Sequence, residues 1–178
     1  MSKLILPFRG VLPTIAPDAF IAPNATIIGD TVIGAGTSIW FGCVLRGDVH
    51  RIRVGARVNI QDGTIVHVSG GRSGATIGDD VSIGHMALIH GCTLEPESFV
   101  GMGAIVMDEA VIESRGMVAA GALVTPGKRV KSGELWAGRP AKLLRMLTDE
   151  DYAMMRGTAE NYARLAQQYR SEIGLTAS

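Results

Sequence analysis

The sequence predicts an all-β solenoid, a parallel β-helix of six-residue repeats closed by a C-terminal α-helix. Three observations carry this prediction. Aliphatic residues recur six apart through most of the chain. A small or β-branched residue follows nearly every one of them four positions later. The composition also departs from that of a conventional globular core, with 23 Gly among 178 residues and only 5% aromatics. A core drawn from Val, Ile, Ala and Gly is thin and repetitive, and the length suits one domain that can bury it.

The repeat begins at Ile15 and continues through Ile21, Ile27, Ile33, Ile39 and Leu45. After a slip of three residues come Val54, Ile60 and Val66, and after an insertion of five come Ile77, Ile83 and Ile89. One residue is then dropped, and Leu94, Val100, Val106, Ile112, Val118 and Val124 complete the series. The small positions include Ala25, Thr31, Thr37, Cys43, Val49, Val58, Thr64, Gly70, Val81, Ala87, Thr93, Ser98 and Ala104. Six is not a multiple of 3.6, and strict alternation is absent, so neither an amphipathic helix nor a half-buried strand explains the pattern. A short strand and corner repeated with threefold symmetry does. The large aliphatic fills the prism, the small residue fits the corner, and Gly or Asn permits the turn. With three hexads to a coil, the eighteen hexads make about six coils. The pattern resembles the hexapeptide-repeat family, and that resemblance implies a left-handed parallel β-helix, against the right-handed crossover rule.

The segments follow in order. Residues 1–14 read as an extended lead-in, 15–129 as the β-helix, 130–147 as an exit segment, and 148–173 as the C-terminal helix. Gly138-Arg139-Pro140-Ala141-Lys142 resembles the stretch that leaves the last coil in many hexapeptide proteins. Thr148 and Asp151 form a capping box, and Asp149 and Glu150 suit the positive helix end. Tyr152, Met155, Ala159, Tyr162, Ala166 and Tyr169 make one stripe, and Gly174 marks the stop. The helix either runs antiparallel along its own prism or crosses to a neighbouring copy.

Charge excludes some partners. Lys+Arg and Asp+Glu both number 17, so no basic excess points to nucleic acid or an anionic membrane surface. No apolar run reaches membrane-spanning length. Cys43 and Cys92 are too few for a disulfide scaffold and fit a reducing cytoplasm, and the first seven residues do not form a signal peptide.

The coil register gives Ser82-Ile83-Gly84-His85-Met86-Ala87-Leu88-Ile89-His90 its meaning. Arg46, His67 and His90 each stand second in the third hexad of successive coils, so they form a column on one face. Adjacent strands lie about 4.8 Å apart, which lets His67 and His90 reach one metal. His85 is third in the second hexad, with Asp62 in the same slot one coil below. It therefore points elsewhere, and a cyclic homotrimer is expected to set His67 and His90 of one copy against His85 of the next. Three neutral imidazoles leave a fourth tetrahedral position for water, the arrangement of a catalytic zinc site, with Fe2+ or Co2+ as other occupants.

Together, Leu45-Arg46-Gly47-Asp48, Asn59-Ile60-Gln61-Asp62-Gly63, Val66-His67 and the Ile83–Gly91 stretch closely resemble the gamma-class carbonic anhydrases and their trimeric relatives. The resemblance covers about residues 10–147. It implies that His67, His85 and His90 bind the metal, that Arg46 pairs with Asp62 across the trimer interface, and that Gln61 orients metal-bound hydroxide. It places Asp48 and Asn59 behind or beside these groups, and Tyr162 is the helix tyrosine chosen to approach the site. The implied reaction is hydration of CO2 to bicarbonate. This sequence departs from the family where proton-shuttling carboxylates are expected: Val49 follows Asp48, and the loop 69–75 carries no acid. His50 is the nearest titratable substitute, and without a better shuttle hydration should be slow. Metal-dependent thioester hydrolysis, acyl transfer as in other hexapeptide proteins, and a non-catalytic metal-carrying or assembly role remain the alternatives.

Overall fold

A computed structural model describes residues 4–173; Gly174, the expected helix stop, lies outside the described residues. The hexad register becomes strand pairing. Ile39 pairs with Ile60, Ile60 with Ile83, Ile83 with Val100 and Val100 with Val118, all in parallel. Three such ladders enclose the core. The first face stacks strands 4–6, 26–28, 44–46, 65–67, 88–90, 105–106 and 123–124. The second stacks 14–15, 31–33, 52–54, 75–77, 93–94, 111–112 and 129–130. The third stacks 20–21, 38–39, 59–60, 82–83, 99–100, 117–118 and 134–138.

Each face thus carries seven rungs, giving a solenoid of about seven turns where the hexads alone supplied six. The extra rungs come from segments without the aliphatic signature. Leu4–Leu6 joins the first ladder at one end, and Arg129–Val130 and Glu134–Gly138 extend the other two. Trp136 pairs above Val118 and packs half-buried against the core. Strand Ala141–Met146 then folds back antiparallel on Glu134–Gly138 and closes the third ladder.

Every repeat aliphatic from Ile21 to Val124 is buried, and Ile15 packs half-buried against the same core. Each such side chain contributes on the order of 1.5–3 kcal/mol by leaving water. The corners take a left-handed residue directly before the small one. Asp80 precedes Val81, Met86 precedes Ala87 and Glu97 precedes Ser98, with φ of 60°, 59° and 61°. Three of the small positions, Val49, Gly70 and Thr93, are corrected by the structure. Val49 and Gly70 are exposed because the slip and the insertion carry the chain out of the prism there. Ile52 and Ala75 take the vacated slot instead, stacked in register on Thr31. One coil further on the same slot is taken by Cys92, while Thr93 is only half-buried.

The C-terminal helix spans Asp149–Glu172. Its capping box forms as read from the sequence: Asp151 N–H donates to Thr148 Oγ1, and Thr148 N–H donates to the Asp151 carboxylate. Met155 and Ala166 are buried. The helix lies on the third face of its own chain and runs back toward the first coil, where Arg170 donates to the Ala19 carbonyl. Trp40 anchors it, with ring centroids 5.2 Å from Tyr162 and 5.4 Å from Tyr169. No helix among the described residues is long and apolar enough to cross a membrane.

Candidate metal centre

His67 and His90 are register partners on the first face, as the coil arithmetic requires. Val66 and Ile89, one residue before them, point into the prism and are buried, so alternation turns both imidazoles outward. His67 Nδ1 lies 3.1 Å from His90 Nε2. The other nitrogen of each ring meets a carboxylate. His67 Nε2 is 3.1 Å from Asp48 Oδ1, and His90 Nδ1 is 3.0 Å from Asp108 Oδ2.

These carboxylates stay ionised. Partial burial works against the Asp108 charge, but hydrogen bonds from Ser69, Ser73 and His90 outweigh it and hold its pKa at about 2. At Asp48 burial is likewise opposed, and outweighed, by the Arg46 guanidinium and His67, so its pKa falls below the ordinary range. An ionised carboxylate only accepts, so each ring donates its N–H to the acid and keeps the proton. The two facing nitrogens then direct lone pairs into the same space, an arrangement that a cation relieves. Zinc–nitrogen bonds of 2.0–2.1 Å in a tetrahedron set nitrogens about 3.4 Å apart, close to the separation found here. The donor set fits a zinc-class ion.

His85 stands on the corner between the third and first faces. Gly84 before it passes so close to the next coil that a Cβ would lie 2.5 Å from the Met102 nitrogen. His85 Nδ1 is 2.8 Å from Asp62 Oδ2, and its Nε2 is 3.0 Å from the Tyr162 hydroxyl. The chain therefore does not join His85 to the His67–His90 pair, and no group of three metal-binding side chains forms among the described residues. Burial, with the Asp62 charge adding to it, raises the Tyr162 pKa, so its O–H remains a donor to His85.

The remaining candidates divide between these two places. Arg46 bonds to Asp48 and sits below the histidine column. Asp62 receives the Phe41 N–H on its second oxygen at 3.1 Å. Gln61 Nε2 donates to Asn59 Oδ1 at 3.0 Å, and Asn59 Nδ2 donates to Ser82 Oγ at 2.7 Å, a chain buried under the helix. Within one chain Arg46 and Asp62 each have another partner. His50 Nδ1 accepts the Arg51 N–H at 2.8 Å.

Asp108 was not among the residues read from the sequence. It could have been: in the coil register it stands above Gly91, and a side chain missing beneath an acid leaves room for that acid to reach His90. The Trp40 cluster that positions Tyr162 was missed as well, because its members are far apart in sequence.

Comparisons with known proteins show the family of the chain. Residues 13–47 match the family model described as bacterial transferase hexapeptide (six repeats). A carbonic anhydrase of Geobacillus kaustophilus is 42% identical over 168 residues, covering 94% of this chain and 92% of that protein. The chain belongs to the gamma carbonic anhydrase group of hexapeptide-repeat proteins. Gamma carbonic anhydrase 1, mitochondrial, of Arabidopsis thaliana is 53% identical over 165 residues, or 90% of this chain. The chain spans 60% of that plant relative's length. The crystal structure of a hexapeptide transferase family protein from Anaplasma phagocytophilum superposes with a TM-score of 0.90 at 54% identity, covering 95% of this chain and 99% of that one. The gamma carbonic anhydrase group thus has a solved relative named for transfer chemistry, and the fold alone does not choose between the two activities.

Proposed function

We propose that this chain is a zinc-dependent gamma-type carbonic anhydrase, active as a cyclic homotrimer. The observation that carries the reading is the pair of facing nitrogens on His67 and His90, each backed by a carboxylate on the far side of its ring. His85 has the same construction, with Asp62 behind it, and would complete the ligand set from a neighbouring copy. Zinc supplies, when bound, a Lewis acid and a water-derived nucleophile at neutral pH.

The chain's own groups take the supporting parts. Asp48 and Asp62 fix the tautomers of His67 and His85. Asn59 engages the amide nitrogen of Gln61, which leaves the amide oxygen to accept a hydrogen bond from the nucleophile. Arg46 supplies a positive charge beside the histidine column, suited to bicarbonate leaving or entering. In the trimer Arg46 of one copy is set to meet Asp62 of the next, which requires both to loosen their bonds within the chain. Tyr162 must likewise release His85 Nε2. His50, half-buried two residues beyond Asp48, is the remaining imidazole for proton export, so hydration is slow compared with a site that has a carboxylate shuttle. Two buried free thiols fit work in the cytoplasm.

Stopped-flow CO2 hydration by the zinc-loaded trimer tests the reading. A rate above that of free zinc, lost in His67→Ala, is expected. A rate equal to free zinc, with turnover of acetyl-CoA by the same preparation, would replace it with transfer or thioester chemistry.

A further inference from the structure

We infer that Asp108 is a positioning residue that locks His90 into the tautomer with Nε2 free, and that the loop 69–74 is the clamp that holds it there. The inference rests on the metal-site reading above and adds to it a group that none of the family motifs in this sequence contains.

Four observations converge on Asp108. Its two oxygens are divided: Oδ1 accepts from Ser69 Oγ at 2.6 Å and from Ser73 Oγ at 2.8 Å, while Oδ2 faces His90 Nδ1 at 3.0 Å. With two hydroxyls on one oxygen, the carboxylate cannot rotate away from the imidazole without breaking both. Room for it is made by Gly91, where a Cβ would lie 2.4 Å from Asp108 Oδ1 and 2.4 Å from Ser73 Oγ. The loop is itself closed, with Ser69 N–H donating to the Ser73 carbonyl at 3.0 Å. It is tied down once more beside Asp108, where Arg72 Nε donates to Glu109 at 2.9 Å. The five-residue insertion after His67 thus reaches across to the coil above His90 and holds its carboxylate. In metal sites, acids that orient a ligand histidine in this way are worth about 10–100-fold in metal affinity.

The test uses the full-length chain in its metal-free and zinc-loaded forms. Nitrogen NMR of 15N-histidine-labelled, metal-free protein reads the His90 tautomer, and chelator competition reads zinc affinity. Wild type is expected to hold His90 with the proton on Nδ1. Asp108→Ala is expected to give a mixture of tautomers and a loss of about 10–100-fold in zinc affinity. Asp108→Asn should recover most of both, because the amide oxygen can face His90 while the amide nitrogen donates to the two serines. Gly91→Ala, which leaves Asp108 in place but crowds it, should move both readouts in the same direction as Asp108→Ala. Circular dichroism separates these effects from unfolding. A His90 tautomer unchanged in a folded Asp108→Ala protein would overturn the inference. If wild type binds no zinc, the metal reading fails, while the tautomer measurement still decides the role of Asp108.

Discussion

His67 turns Nδ1 toward His90 Nε2 at 3.1 Å, while His85 of the same chain turns Nε2 toward Tyr162 instead. The proposed site shared between copies would account for that divergence, and it can be tested by mixing. His67→Ala and His85→Ala should each bind almost no zinc alone. Refolded together in equal amounts, they should recover zinc at about a quarter of the interfaces, those where an intact His67–His90 pair meets an intact His85. Elemental analysis of the mixed oligomer is the measurement, and no recovery in a mixed trimer would exclude the shared site.

The prism interior should be sensitive out of proportion to side-chain size. Ile83 has no exposed surface and sits between Ile60 and Val100. Ile83→Ala should cost about 2–5 kcal/mol, since a rigid stack of coils cannot collapse onto the void. Urea unfolding reads the loss.

Corner strain gives a prediction of the opposite sign. Glu97 holds φ at 61° and has no ion pair among the described residues. Glu97→Gly should stabilise the protein by about 1 kcal/mol, because glycine enters the left-handed region without the steric cost. The melting temperature should rise by about 2–4 °C.

The two cysteines should be silent. Burial pushes the thiols of Cys43 and Cys92 up to about 12. Both remain neutral at pH 8, so a thiol reagent should label neither until denaturant is added, and both afterwards. The sign for stability follows from the raised value. A thiol whose folded pKa exceeds the unfolded value of about 8.5 adds stability below that pH and loses it as pH rises toward 12. Denaturant midpoints should therefore fall through this alkaline window, and fall less in a Cys43→Ala, Cys92→Ala protein.

The limits of the sequence reading lie where the period breaks. Within uninterrupted hexads one residue predicts the next, and the pairing of His67 with His90 came out as the arithmetic required. At Val49 and Gly70 the arithmetic failed, because a solenoid keeps its stacking by expelling inserted residues from the prism. The ends failed in the other direction. Leu4–Leu6 and Glu134–Gly138 join the ladders although they carry no repeat, since an open strand edge offers hydrogen bonds to any extended neighbour.

The sequence by itself determined the coil, the outward turn of three histidines, and the separation of His85 from the other two. All of these follow from local period and alternation, which need no knowledge of distant contacts. Tertiary structure alone decided three further things. It laid the helix on its own chain, through Trp40 meeting Tyr162 and Tyr169. It occupied Arg46 with Asp48 within one chain. It brought Asp108 and the loop 69–74 onto His90. Each of these depends on the rotamer a side chain takes, and the helix and Asp108 depend also on partners many residues away; the period that sets the backbone does not specify such meetings.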